Sequence, residues 1–159
     1  MPKPRTDGFT LLELLIVISL LSILSLFAVP QGNKLLATSQ LRQAAGILVA
    51  NMRQLELKAA VEERSYCIEF VYTLDHSRDG YIIRRLGYDG YLEPEAHFQP
   101  FPPGIRIRNN YLYPKDRTVW FHPSGSPSTG ASIPLENRVG EVLTIRILPV
   151  TGRIRVVEE

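Results

Sequence analysis

From Leu14 to Asn33 the chain carries no charged residue. As a helix those 20 residues span about 30 Å, the thickness of one hydrocarbon core. A membrane-inserted stage is therefore built into the first fifth of the chain. Phe9–Val29 reads FTLLELLIVISLLSILSLFAV, apolar apart from Thr10, Glu13 and three serines. A cleaved secretory signal has a shorter apolar stretch, roughly 7–15 residues, closed by a small-x-small site. Here the residues before Val29 are Leu26, Phe27 and Ala28, which make a poor site of that kind. Lys3 and Arg5 precede the span and the next basic residue is Lys34, so the N-terminus is expected to stay cytoplasmic and the bulk to be exported.

Glu13 is the residue that a plain anchor does not explain. A charged side chain at the centre of a spanning helix costs roughly 2.5–3.5 kcal/mol on insertion scales, so a partner is expected even one turn in from the end. A cut between Gly8 and Phe9 would create an α-amino group about one helical turn away, in the same or a neighbouring subunit. The alternative is a glutamate that snorkels to the interface.

These residues carry a resemblance. Gly8–Pro30, GFTLLELLIVISLLSILSLFAVP, resembles the class III signal segment of type IV pilins and type II secretion pseudopilins. In that family a prepilin peptidase cuts after the glycine and methylates the new N-terminal phenylalanine. The resemblance thus implies cleavage between Gly8 and Phe9, N-methylation of Phe9, and an assembly role for Glu13. It also matches Pro30 to the proline where the helix leaves the bilayer. The domains expected are a leader over 1–8, a transmembrane and filament-core helix over 9–30, and a head over 31–159.

Beyond the span, Leu35, Leu36, Leu41, Ala44, Ala45, Leu48, Met52, Leu55 and Ala59 recur at spacings of three and four, which predicts an amphipathic helix over 33–64. The two halves can form one helix of about 80 Å, with a kink or local unwinding expected near Pro30–Gly32. After Arg64 the pattern turns to strands at 65–74, 81–86, 105–108, 118–122, 142–148 and 153–157, punctuated by glycine and proline turns. Residues 87–103, with four prolines, are expected to be a long loop. The fold class is α+β: a long N-terminal helix packed on an antiparallel β-rich head, pilin-like in outline.

Phe121-His-Pro-Ser-Gly125, Gly130, the strand through Val142–Leu148 and Thr151-Gly-Arg-Ile-Arg155 together resemble the C-terminal pattern of the GspH/FimT group of minor pilins and pseudopilins. The paired C-terminal cysteines of many major pilins are missing, since the chain has one cysteine. That count also excludes a Cys-rich zinc site.

Catalytic chemistry finds little support. His76, His97 and His122 are scattered, with no HxH, HExxH or CxxC spacing, so no metal is expected. Asp75 and Asp79-Gly80 invite comparison with a calcium loop, but Ser77 and Leu86 stand where its third and twelfth ligands belong, and a polar turn is the simpler reading. Cys67 lies in an apolar strand, as a small core residue does. Ser124 lacks the leading glycine of a nucleophile elbow. No cofactor is expected and the chain is not read as an enzyme.

Charge is unevenly distributed. Residues 65–103 hold three basic and six acidic side chains, net −3, whereas 104–159 hold eight basic and five acidic, net +3. Arg106, Arg108, Arg146, Arg153 and Arg155 alternate along strands and could share a sheet face, offset by Glu141, Glu158 and Glu159 or open to an anion such as DNA. The expected function is a minor pilin or pseudopilin, a non-enzymatic subunit of a type II secretion or type IV pilus-like filament. Its partners would be prepilin peptidase, other pilins, and the inner membrane before assembly, with the head periplasmic or extracellular afterwards. The alternative is a DNA-binding minor pilin of a transformation machine.

Overall fold

The structure, a computed structural model, describes residues 10–73, 78–95, 97–108, 112–114, 116–149 and 151–158. It divides into two units, Met1–Leu36 and Ala37–Glu159. One helix, α1 (Leu11–Glu62), contributes to both.

In the first unit α1 runs through Pro30 to Gly32 without a break, so the local unwinding expected there is not observed. Proline removes one N–H from the ladder, and the rest of the turn keeps its bonds. Fourteen large apolar side chains from Leu11 to Val29 are 49–82% exposed. Covering them is worth on the order of 20–40 kcal/mol, more than a domain's whole net stability of about 5–15 kcal/mol. With a mean hydropathy of 2.6 over its most apolar stretch, this helix is long and apolar enough to cross a membrane.

In the second unit, Ala37, Leu41, Ala44, Ala45, Leu48, Met52, Leu55 and Ala59 of α1 are buried. Leu35 and Leu36, expected on the same stripe, are instead exposed in the first unit. The helix ends where Glu63 takes a positive φ of 52° and Arg64 N–H donates to Ala59 O at 3.2 Å, a left-handed stop that turns the chain into the first strand.

Among the described residues nine strands follow: β1 (Tyr66–Val71), β2 (Gly80–Leu86), β3 (Leu92–Pro94), β4 (Gln99–Pro100), β5 (Ile105–Ile107), β6 (Thr118–Phe121), β7 (Ala131–Asn137), β8 (Val142–Ile147) and β9 (Ile154–Glu158). One antiparallel sheet has the order β3-β2-β1-β6, with β4 also paired to β2; the other has the order β5-β7-β8-β9. Tyr66, Ile68 and Phe70 of the first sheet and Ile133, Leu135 and Ile145 of the second form one core with α1. The α+β arrangement of a long helix and antiparallel sheets is as the sequence pattern implies.

The expected loop over 87–103 holds two short strands, β3 and β4, both laid against β2. A larger omission is β7, which sits centrally in the second sheet although Pro134 interrupts its sequence. Pro134 is tolerated because its imino nitrogen faces the place where β5 stops. Its carbonyl still accepts from Arg108 N–H at 3.0 Å, and only the return bond is lost.

Leu48 is fully buried where α1 meets the sheets. Leu48→Ala should lower stability by about 2–5 kcal/mol, measured by denaturant unfolding of the full chain in detergent. A loss below about 1 kcal/mol would mean that α1 does not seal this core.

Candidate functional site

The start of α1 is capped from its own sequence. Thr10 Oγ1 accepts from Glu13 N–H at 3.2 Å, and Thr10 O accepts from Leu14 N–H at 3.2 Å. Thr10-Leu-Leu-Glu13 has the T-x-x-E spacing of a capping box, with Glu13 as the acidic residue in the first turn where the helix dipole favours it. Sequence reading missed Thr10, although its spacing from Glu13 was the signal. The expected leader and cleavage positions, including Gly8 and Phe9, lie outside the described residues.

Polar groups further along the span are satisfied internally. Ser19, Ser22 and Ser25 each donate to the carbonyl four residues back, at 2.5, 2.8 and 2.8 Å. Such back-bonding lets a hydroxyl lie in hydrocarbon. Between Leu11 and Pro30 the Glu13 carboxylate is therefore the one side chain that still asks for a counter-charge among the described residues.

In the head, the five arginines separate. Arg106, Arg146 and Arg155 lie on the outer face of the second sheet. Arg146 and Arg155 are direct cross-strand partners between β8 and β9. Like charges so placed repel, and Arg146 also takes part in a further polar interaction of its own. Arg106 lies across β7 from them and is paired with Glu136 at 3.0 Å. Arg108 follows β5 at the same sheet edge, bonded through its N–H to Pro134. Arg153 precedes β9 and lines a cleft beside α1 with Arg53. Glu136 is thus an offsetting acid on the face. Glu158 instead pairs with Arg42 at 3.1 Å and Glu141 accepts from Thr38, while Glu159 lies outside the described residues.

The remaining candidates find structural roles. Cys67 is fully buried, and burial, reinforced by Glu69, pushes its thiol up to about 11 and away from nucleophilic use. Tyr66 is raised to about 12 by burial and by its hydrogen bond to Glu62. Asp79 Oδ2 accepts from Ile107 N–H at 2.7 Å, tying the start of β2 to β5. Asp75, His76 and Ser77 lie outside the described residues, whereas His97, His122 and Ser124 are exposed. No group of three or more metal-ligating side chains forms among the described residues.

Residues 3–29 match the family described as the prokaryotic N-terminal methylation motif. The match covers the type IV pilin-like prepilin signal at the N-terminus and leaves the head unassigned. No solved structure matches the chain.

Proposed function

We propose that the chain is a minor pilin or pseudopilin of the GspH/FimT kind, a non-enzymatic subunit of a type II secretion or type IV pilus-like filament. Prepilin peptidase removes residues 1–8 between Gly8 and Phe9 and methylates Phe9. Residues 9–30 hold the subunit in the inner membrane, N-terminus cytoplasmic, and pass into the filament core. Residues 31–159 form the displayed head. The observation that carries this reading is the methylation motif over 3–29, on a helix whose serines are satisfied and whose Glu13 carboxylate has no counter-charge among the described residues. Support for the finer grouping comes from the two-sheet head and from Gly152-Arg-Ile-Arg155 at the entry to β9. Shear fractions and membranes of a producing cell test it: the chain should be recovered cross-linked to other pilin-type subunits. A chain found only as an isolated membrane monomer would contradict it.

The Arg146–Arg155 pair favours a second reading, a DNA-binding minor pilin. Phosphate contacts would make binding to duplex DNA fall steeply with salt and be indifferent to sequence. The structural reading expects no binding tighter than about 10⁻⁴ M at physiological salt, at the weak end of non-specific affinities. Micromolar binding that Arg146→Glu with Arg155→Glu abolishes, measured by fluorescence anisotropy, would replace it with the DNA reading.

A further inference from the structure

Exposed strand edges invite pairing with other chains, and folded proteins usually guard them. Three edges here are guarded. Along β6 the chain folds back, with His122 N–H donating to Ser126 O and Ser128 N–H to Trp120 O, both at 2.9 Å. β3 and β4 are three and two residues long and each ends in proline. At β5 the Asp79 carboxylate occupies Ile107 N–H.

β9 has no such guard among the described residues. It has five residues and one neighbour, β8. Leu148 N–H donates to Arg153 O at 3.1 Å, which fixes the phase of the β8–β9 ladder. Stepping by two, Arg155 and Val157 direct their backbone groups toward β8. Ile154, Val156 and Glu158 direct theirs outward.

The outward edge lies beside α1. A cleft of about 600 Å³ separates Arg53, Glu56 and Leu57 from the entry to β9, and a smaller one of about 190 Å³ lies by Arg42 and Glu158. At 100° per residue, Arg42, Gly46, Ala50, Arg53 and Leu57 share one stripe of the helix. A Cβ on Gly46 would meet nothing within 4 Å. Leu57 and Val156 remain 68% and 46% exposed. The trough is thus bounded by a helix, an unpaired backbone ladder and uncovered apolar surface, the parts of a strand-addition groove.

Its charge is polarised. Arg53 and Arg153 stand at one end with the single acid Glu56 among the lining residues, while Arg42 and Glu158 neutralise each other at the other. We propose that β9 is a strand-addition site: an extended segment of another protein chain pairs antiparallel with Ile154, Val156 and Glu158. Its carboxylate, an acidic side chain or a C-terminus, lies against Arg53 and Arg153. An antiparallel strand brings its C-terminal part to the entry of β9, where those arginines stand. A nucleic acid could answer the charges but not the backbone ladder. This site goes beyond the processing reading, because capture of a peptide strand does not require the leader to be cut.

The test uses the full chain in detergent micelles and short alternating valine–threonine peptides. One carries a terminal glutamate with an amidated C-terminus, one a free C-terminus without glutamate, and one a terminal lysine with an amidated C-terminus. Amide hydrogen exchange should slow about tenfold or more at Ile154, Val156 and Glu158 with either carboxylate-bearing peptide, and remain unchanged at Arg155 and Val157. The first two peptides tell side chain from terminus. Val156→Pro removes an outward donor without touching the β8 ladder and should abolish the protection. If that variant loses its circular dichroism signal, Val156→Lys takes its place as an edge-blocking change. No protection, equal protection by the lysine peptide, or protection of the same amides by duplex DNA would each overturn the proposal.

Discussion

Gly8→Phe is expected to convert the whole population to uncut precursor held in the membrane. A peptidase must approach the backbone at the bond it cuts, and glycine alone presents no side chain to obstruct it. Immunoblotting of membranes from a host with a prepilin peptidase should show the shorter form falling from dominant to undetectable. Gly8→Ala, which adds one methyl group, should be processed more slowly rather than blocked. Processing of the phenylalanine variant at the native rate would contradict cleavage at this position.

The second large effect concerns Glu13, where the cap seen in the structure and the proposed assembly role can be separated. As the third helical residue, closing the capping box that Thr10 opens, it favours the first turn of α1, and glutamine fills that place as well as glutamate does. As a buried carboxylate it would pair with the Phe9 amine of a neighbouring subunit, and glutamine cannot. Glu13→Val should insert and be processed normally, because the span becomes more apolar, yet fall from sheared filaments by an order of magnitude or more. Glu13→Gln decides between the roles: assembly as poor as with valine means that the charge is needed. Native assembly of Glu13→Gln would leave only the cap, and native assembly of Glu13→Val would remove any assembly role.

Much of this could be read from the residue pattern because the signals are periodic. The stripe from Leu41 to Ala59 is buried as its spacing implies, since one helical face must meet a core. Leu35 and Leu36 carry the same periodicity but belong to the first unit, and spacing alone does not say where a stripe stops meeting a sheet. β7 escaped notice because Pro134 argues against a central strand. Only the end of β5 at Ile107 explains how it is accommodated. Among the arginines, alternation placed Arg146 and Arg155 on one face. It could not show that they are register partners, that Arg106 is answered by Glu136, or that Arg153 turns toward α1. Those facts depend on strand order, which is a tertiary property. Thr10 is legible in its T-x-x-E spacing to Glu13, a polar signal that stands one residue before the apolar run of α1.

The most direct test of the filament-subunit reading is the mass and N-terminal sequence of the protein purified from membranes that contain a prepilin peptidase. A chain beginning at Phe9 with a methylated α-amino group is the expected result. A chain that still begins at Met1, or one cut beyond the apolar span with residues 9–30 left in the membrane, would contradict it.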